Sequence, residues 1–403
     1  LTFVFRLLSI ITANIYNYFF KKFRNIKINL YLCDVQINKP MLELSANDKK
    51  QLENLNISVE QVERQVNQFK TGFPFSDLVA PATIGNGIIK FSDAEVQELI
   101  KQFDEDKQYY DILKFIPASG AASRMFKSIY SFVEDYKGKE IPEDFLTKEN
   151  IKNDSIENFF LSIREFAFYD DLKDKLAEQG KDIETLIQEN RLVEIAEFLL
   201  ENEGLAYGKL PKALLKFHKY KETSRFALEE HLVEAAQYST AETEDGVVAQ
   251  LHFTVSHEHL DLFKKTVEKV VPQYEEQFGI RYDISYSVQK PSTDTVAVDM
   301  NNEPFRNNDG SLLFRPGGHG ALIQNLNDLH KEIIFIKNID NVVPDRLKPT
   351  TYDYKKVLGG YLFKLQQQQF EYLNLLDEGS LANDEIEEIA SFAKDKLMID
   401  IPN

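Results

Sequence analysis

The chain has 403 residues, of which 43% are hydrophobic, and it contains 30 Phe, 18 Tyr and no Trp. This length and composition suffice for a sizeable core and predict two or three domains or subdomains. The formal charge of −18 argues against a nucleic-acid-binding surface. The single cysteine, Cys33, excludes a disulfide framework and a thiolate metal site, and it indicates a reducing, cytoplasmic compartment.

The first forty residues differ from the rest of the chain. They contain no Gly and no Glu, and six basic residues against one acid give them a net charge of +5. One charged and two amide side chains interrupt residues 1–20, a run barely long enough to span a membrane. Their main basic cluster follows the apolar run, whereas a signal peptide has it first. An anchor and a signal peptide stay open, but we expect residues 1–40 to be upstream sequence translated ahead of a start at Met41.

The remaining chain alternates apolar strands with helical patterns. Residues 41–105 are predicted to form a helical region, in which Ser92 and Glu95 form a capping-box start. An amphipathic helix is predicted from Phe226 to Tyr238. Strands are predicted at Ile112–Ile116, Val247–Val255 and Arg281–Val288 and within 332–341. The alternation favours an α/β fold with a mixed, mostly parallel, helix-covered sheet. Such sheets bind ligands at the carboxyl ends of their strands.

The same patterns predict the order of domains. We expect residues 106–136 and 204–350 to form the α/β core, and residues 137–203 to be a helical insertion within it. Residues 351–403 are expected to be C-terminal helices of a chain that is truncated at this end.

The stretch from Ile112 to Lys127 predicts a strand, a loop of small residues and a helix. Residues 118–123 allow a tight turn and a close approach by a ligand. Arg124 and Lys127 are expected in the first turn of the helix, whose free N–H groups and dipole favour an anion. The arginine adds a fork of donors. This pattern indicates a phosphate site, and the alternative is an ordinary strand-to-helix loop that is small for packing reasons.

Polar residues also follow other apolar segments. Gln289 comes after the strand at Arg281–Val288, and Asp340 and Asn341 end an apolar strand. A carboxylate at the tip of a buried parallel strand suits Mg²⁺. The alternative for Asp340 is a role as a helix cap or turn residue. His319 lies in a glycine-rich turn before a helix, and its alternative to a site role is a loop histidine that is hydrogen-bonded to backbone.

Taken in order, these segments resemble an uncharacterised bacterial family, the domain-of-unknown-function (DUF) 4301 proteins, from Met41 onward. Islands within 112–345 are similar to sugar-1-phosphate nucleotidyltransferases of the UDP-sugar pyrophosphorylase type, which have a GT-A-like, Rossmann-related fold. Five motifs carry this second resemblance: the loop Pro117-Ala-Ser-Gly-Ala-Ala-Ser-Arg-Met125, the pair Pro211-Lys212, Gln289, the turn Gly317-Gly-His-Gly320 and Asp340-Asn341.

The resemblance implies a Mg²⁺-dependent transfer of a nucleotide from a nucleoside triphosphate to a sugar 1-phosphate or a similar acceptor. Arg124 and Lys127 would hold the β- and γ-phosphates, Lys212 the α-phosphate or the sugar phosphate, and Asp340 the Mg²⁺. The implied nucleotide- and substrate-binding residues are Ser119, Gly120, Ser123, Gln289, Gly318, His319, Gly320 and Asn341.

The sequence departs from this enzyme pattern at three places. Two glycines of the first loop are replaced, one by Ala118 or Ser119 and the other by Ala122. The helical insertion stands between Arg124 and Lys212, and a second metal-binding Asp has no evident counterpart after Asp340. An inactive nucleotide- or sugar-nucleotide-binding protein of the same fold is therefore an alternative. A different phosphoryl-group enzyme and a membrane-tethered structural protein are further ones. The nucleobase, the acceptor and the oligomeric state stay open.

Overall fold

The computed structural model describes residues 42–399 except 121, 123–124, 148–150, 245 and 380. Its α-helices are α1 (Ala46–Leu55), α2 (Val59–Thr71), α3 (Asp93–Asp106), α4 (Lys127–Tyr136), α5 (Ile156–Leu161), α6 (Tyr169–Glu178), α7 (Ile183–Gln188), α8 (Leu192–Leu200), α9 (Ala227–Tyr238), α10 (Leu260–Phe278), α11 (Ile323–Asn327), α12 (Lys348–Glu378) and α13 (Asn383–Asp395). Within this part of the chain, none of the helices has the length and apolar character that crossing a membrane requires.

The described strands that are longer than four residues all belong to one central sheet. The strands are β1 (Thr83–Ile84), β2 (Gly87–Ile88), β3 (Ile112–Pro117), β4 (Lys216–Lys219), β5 (Ser224–Phe226), β6 (Thr240–Thr243), β7 (Gly246–Val255), β8 (Arg281–Val288), β9 (Thr295–Val296), β10 (Phe314–Arg315) and β11 (Ile333–Ile336). The chain forms two compact units. The first contains described residues of 42–46, 73–107 and 353–399, and the second contains Asn47–Gly72 and Gln108–Tyr352.

The first unit is held together by helices α3 and α12. The predicted capping box begins α3, with the Ser92 side chain accepting from the Glu95 backbone and the Glu95 side chain accepting from Ser92 N–H. The rings of Phe103 and Phe363 stack 5.5 Å apart. Gly360 lies against the Leu99 carbonyl, where a Cβ atom would clash with backbone. The absence of a side chain at this glycine therefore allows the two helices to pack closely.

The second unit contains the main sheet, with strand order β11-β3-β7-β8. These four strands are parallel, while β6 runs antiparallel to the first half of β7. The structure confirms a mixed α/β fold, and the sheet is mixed because of β6. All six residues of β3 are buried, as expected for a central strand.

Two hydrophobic clusters fill the second unit. One lies among helices α4–α8, with Phe132, Phe160 and Leu199 fully or almost fully buried. The other lies between the sheet and helices α9 and α10, with Phe253 and Phe263 at its centre. Among the described residues of 137–203, the regular elements are all helical.

The helix predicted at Phe226–Tyr238 is confirmed as α9, although its polar face is buried as well as its apolar face. Nearly all of its residues are buried, and they include Glu229, Glu230, His231 and Glu234. Its polar face does not meet solvent because Lys114, Lys337 and Lys348 form ion pairs with its carboxylates.

The start of helix α4 also differs from the prediction. The Met125 N–H donates to the Ala122 carbonyl over 2.8 Å, so a turn precedes the helix, which begins at Lys127. Met125 lies in this turn and is 49% exposed.

Candidate functional site

The carboxyl ends of the parallel strands bring the predicted site segments together. After β3, the Ala118 N–H donates to the Thr254 carbonyl of β7 over 2.8 Å. After β11, the Ile339 N–H donates to the Pro117 carbonyl over 3.1 Å. These bonds continue the pairing of the sheet beyond its strands. They place the loop that begins at Ala118 next to the turn that contains Asp340.

Lys212 links these two segments. Its backbone N–H donates to the Gly120 carbonyl over 3.3 Å. Its Nζ donates to Asp340 Oδ2 over 2.6 Å, and the two side chains are 24% and 38% exposed. Lys212 opens a single 3-10 turn in which Ala213 and Leu214 are buried. The buried residues that follow Lys212 therefore fix its backbone, and its ammonium group contacts Asp340 at the ends of the strands.

The charge on Asp340 is set by its surroundings. Burial would raise the pKa of this carboxyl, but the hydrogen bond and the positive charge of Lys212 outweigh burial and lower the pKa. Smaller contributions in the same direction come from a backbone hydrogen bond and from the nearby His319 of the glycine-rich turn. Asp340 is thus held as a carboxylate.

Gln289 connects the first loop with the glycine-rich turn. The Ser119 hydroxyl donates to Gln289 Oε1 over 3.5 Å, and Gln289 Nε2 donates to the Gly317 carbonyl over 2.9 Å. A Cβ atom at Gly317 would come within 2.8 Å of the Thr293 carbonyl oxygen and of the Ala321 Cβ. The glycine is needed there because the turn approaches backbone that cannot move aside.

The structure brings most of the predicted site residues into one group, although it does not test their roles. Contacts or charge link Ser119, Gly120, Lys212, Gln289, His319 and Asp340. Gly318 and Gly320 lie in the same turn as His319, and a Cβ atom at either would meet open space.

The other predicted residues lie less centrally or cannot be placed. Lys127 is exposed at the start of α4, and Asn341 is exposed in the turn after Asp340. Ser123 and Arg124 lie outside the described residues.

Asp340 offers a single carboxylate at this edge of the sheet, and Lys212 already pairs with it. Across the described ranges, no group of three or more His, Cys, Asp and Glu residues could hold a metal ion. Mg²⁺ commonly binds proteins through one or two carboxylates and takes its other ligands from water and substrate phosphates. Asp340 could supply such a carboxylate, so these residues suit a magnesium–phosphate complex better than a permanently bound metal.

Sequence reasoning missed a buried polar cluster behind the Asp340 turn. His231 of helix α9 contacts the Ile339 carbonyl with its Nε2 over 3.1 Å. One turn further along this helix, Glu234 forms ion pairs with Lys114 of β3 and with Lys337, which follows β11. Burial, followed by the charge of Lys114, lowers the pKa of His231 well below its usual value. The ring is therefore neutral, and it donates to Ile339 through Nε2–H.

A signal for this cluster exists in the sequence. Lys114 stands in the middle of the apolar run Ile112-Leu-Lys-Phe-Ile116, and Lys337 follows Ile333-Ile-Phe-Ile336. A lysine in a central strand requires a buried counter-charge. A search for carboxylates on an otherwise apolar helix would have found Glu234.

The comparisons with known proteins identify a family without a known function. The family model described as "Domain of unknown function (DUF4301)" matches residues 45–403, and the chain belongs to this family. A search of the curated proteins and a search of the solved structures each found no match.

Proposed function

We propose that this protein is a Mg²⁺-dependent nucleotidyltransferase that joins a nucleoside triphosphate to a sugar 1-phosphate or a similar acceptor and releases pyrophosphate. One observation carries the proposal: Lys212 and Asp340 form an ion pair beside the small-residue loop. This pair lies at the carboxyl ends of the parallel strands β3 and β11. An ammonium group and a carboxylate at this edge suit a phosphate chain and its magnesium ion.

The helix that follows the loop supports the same proposal. Helix α4 has no side-chain cap at its N-terminus and no acidic residue in its first turn, and Lys127 is its first residue. A cation there is unfavourable next to the positive end of the helix dipole. A bound phosphate would offset that cost and accept hydrogen bonds from the free N–H groups.

The chemistry requires no nucleophile from the protein. An oxygen of the acceptor phosphate attacks the α-phosphorus, and the bond to the leaving pyrophosphate breaks in line. Bound Mg²⁺ would neutralise charge on the phosphate oxygens. In this proposal Lys212 positions the α-phosphate or the acceptor phosphate, and Gln289 reads a nucleobase edge. We assign the GT-A-like fold, the nucleoside triphosphate and sugar-phosphate partners and the cytoplasmic setting as parts of this proposal.

A second candidate is a nucleotide- or sugar-nucleotide-binding protein without turnover. Ala122, and either Ala118 or Ser119, stand where the resembling enzymes have glycines. Both alanines are fully buried, so the backbone there is less open to a triphosphate. Asp340 also has no companion in a three-ligand group across the described residues.

Pyrophosphate release separates the two candidates. Each nucleoside triphosphate is incubated with a pool of sugar 1-phosphates and Mg²⁺, and we expect release with at least one combination. Asp340→Ala should abolish release while the protein still unfolds cooperatively. Asp111→Asn, at the opposite ends of β3 and β11, is the control and should leave release intact. Magnesium-dependent nucleotide binding without any release would favour the second candidate, and the lack of both would contradict the two proposals.

A further inference from the structure

The Lys212–Asp340 ion pair joins the two charges that the proposed function assigns to different ligands. Asp340 is assigned to a cation and Lys212 to a phosphate, yet Nζ and Oδ2 lie 2.6 Å apart. Each group already neutralises the other. A ligand for either one must therefore separate a formed pair.

The cost of this separation depends on what arrives. A divalent cation that binds Asp340 alone leaves the Lys212 ammonium beside a second positive charge. A phosphate that binds Lys212 alone leaves the Asp340 carboxylate beside a second negative charge. When a cation and a polyphosphate arrive together, each protein charge exchanges its partner for a new one, and no like charges are left facing each other.

The coordination chemistry points the same way. No group of three or more protein ligands is available to a metal ion within the described residues. Mg²⁺ demands six oxygen ligands and dehydrates reluctantly, so a carboxylate alone holds it weakly. The oxygens of a bound polyphosphate would complete the shell. A cation that arrives alone therefore finds too few protein ligands. A phosphate that arrives alone is repelled by the Asp340 carboxylate.

We propose that the Lys212–Asp340 pair acts as an electrostatic gate, which admits a divalent cation and a polyphosphate together and disfavours either one by itself. The gate rests on the proposed function for the identity of its ligands. It goes beyond that function because it concerns the order and coupling of binding and does not require turnover.

Binding of inorganic pyrophosphate and Mn²⁺ to the full chain tests the gate. Mn²⁺ accepts the same oxygen ligands as Mg²⁺, and electron paramagnetic resonance reports its free concentration. Calorimetry gives the affinity for pyrophosphate with and without the metal, after correction for the complex that forms in solution. We expect each ligand to raise the affinity for the other at least tenfold, by the same factor in both directions.

Two variants make predictions of opposite sign. Lys212→Met should bind Mn²⁺ alone severalfold more tightly than the parent, because no ammonium competes for Asp340, and it should bind pyrophosphate more weakly. Asp340→Asn should bind pyrophosphate alone more tightly, with little dependence on the metal. If Lys212 and Asp340 served only as ligands, replacing either one would lower the affinities and would raise neither of them.

A matched ion pair serves as the control. Lys331 Nζ lies 2.7 Å from Asp111 Oδ2, and their side chains are 28% and 42% exposed, close to the values at the gate. This pair lies at the amino ends of β3 and β11, so Lys331→Met should leave both affinities and their coupling unchanged. Thermal unfolding of each variant verifies that it is folded.

The possible outcomes distinguish the gate from the proposed function. Independent binding of the two ligands by the parent protein, or losses of both affinities in both variants, would overturn the gate even if pyrophosphate is released in the activity assay. Coupled binding without release would support the gate and contradict the enzyme. Failure of the parent to bind either ligand would overturn both.

Discussion

Replacing Glu234 by Gln is expected to lower the free energy of unfolding of the α/β unit by about 3–5 kcal/mol. The Glu234 carboxylate is fully buried and accepts three hydrogen bonds. Lys114 Nζ donates over 3.0 Å, Lys337 Nζ over 2.6 Å and the Tyr238 hydroxyl over 3.0 Å. The variant keeps the shape of the side chain but removes its charge. Two ammonium groups then remain in the interior without their carboxylate.

The magnitude follows from the burial of the partners. Lys114 is fully buried and Lys337 is 8% exposed, so neither can regain full hydration in the folded state. Burial alone would raise the pKa of Glu234, but the charges of Lys114 and Lys337 outweigh it and place the pKa far below its usual value. A carboxylate with a depressed pKa stabilises the fold above its ordinary pKa and loses this contribution only in strong acid. The effect of Glu234→Gln is therefore expected in full at neutral pH.

Urea unfolding measures this change, with the midpoint shifted and the slope unchanged. The double variant with Lys114→Met should be less destabilised than the sum of the two single variants, because the second change removes one of the two ammonium groups that lose the Glu234 carboxylate in the first. The exposed pair of Lys175 and Glu178 is the control, and Glu178→Gln should cost less than about 0.5 kcal/mol. A loss below about 1 kcal/mol for Glu234→Gln, or strict additivity, would refute the reasoning.

Three further outcomes are expected. Burial lowers the pKa of His252 to about 4, so the folded protein excludes a proton that the unfolded chain binds below pH 6.5. Stability should therefore fall by up to about 3 kcal/mol as the pH drops from 6.5 to 4, and His252→Gln should flatten this part of a urea-unfolding profile. Gly317→Ala should lower both the unfolding temperature and nucleotide affinity, whereas Gly318→Ala, with open space around its Cβ, should leave the unfolding temperature unchanged. Gly360→Ala should cost several kcal/mol in urea unfolding because its Cβ would meet the Leu99 backbone, and a neutral result would contradict the close packing of α3 and α12.

The grouping of the site residues could be predicted from the sequence because it depends on local signals and one topological rule. Apolar runs with clear ends predicted β3, β7 and β8 to within one or two residues. Parallel strands place their carboxyl ends at one edge, so residues that follow different strands meet there. This rule predicts the loop after β3 and Asp340 at one edge, whereas the resemblance to nucleotidyltransferases implies that Ser119 and Gln289 join them.

What the sequence could not give is the pairing of distant charges. Lys114 and Glu234 are 120 residues apart, and Lys212 and Asp340 are 128 residues apart. Hydrophobic periodicity records how much of a helix is apolar, but it carries no information about which cations cover its polar face. For this reason the pattern predicts the helix α9 but not the burial of its polar face. For the same reason Lys212 and Asp340 were assigned separate ligands without the expectation that they bind each other.

Helix α9 provides a physical link between the buried charges and the candidate site. Glu234 holds Lys114 of β3 and Lys337 next to β11, the two neighbouring strands whose ends carry the first loop and the Asp340 turn. One turn earlier in the helix, His231 binds the carbonyl of Ile339, the residue before Asp340. Buried ion pairs rarely increase stability over well-packed apolar residues, and they fix the relative positions of the groups that form them. The cluster therefore ties β3 and the residue after β11 to one helix, and His231 of the same helix contacts the backbone that leads into Asp340, one partner of the gate.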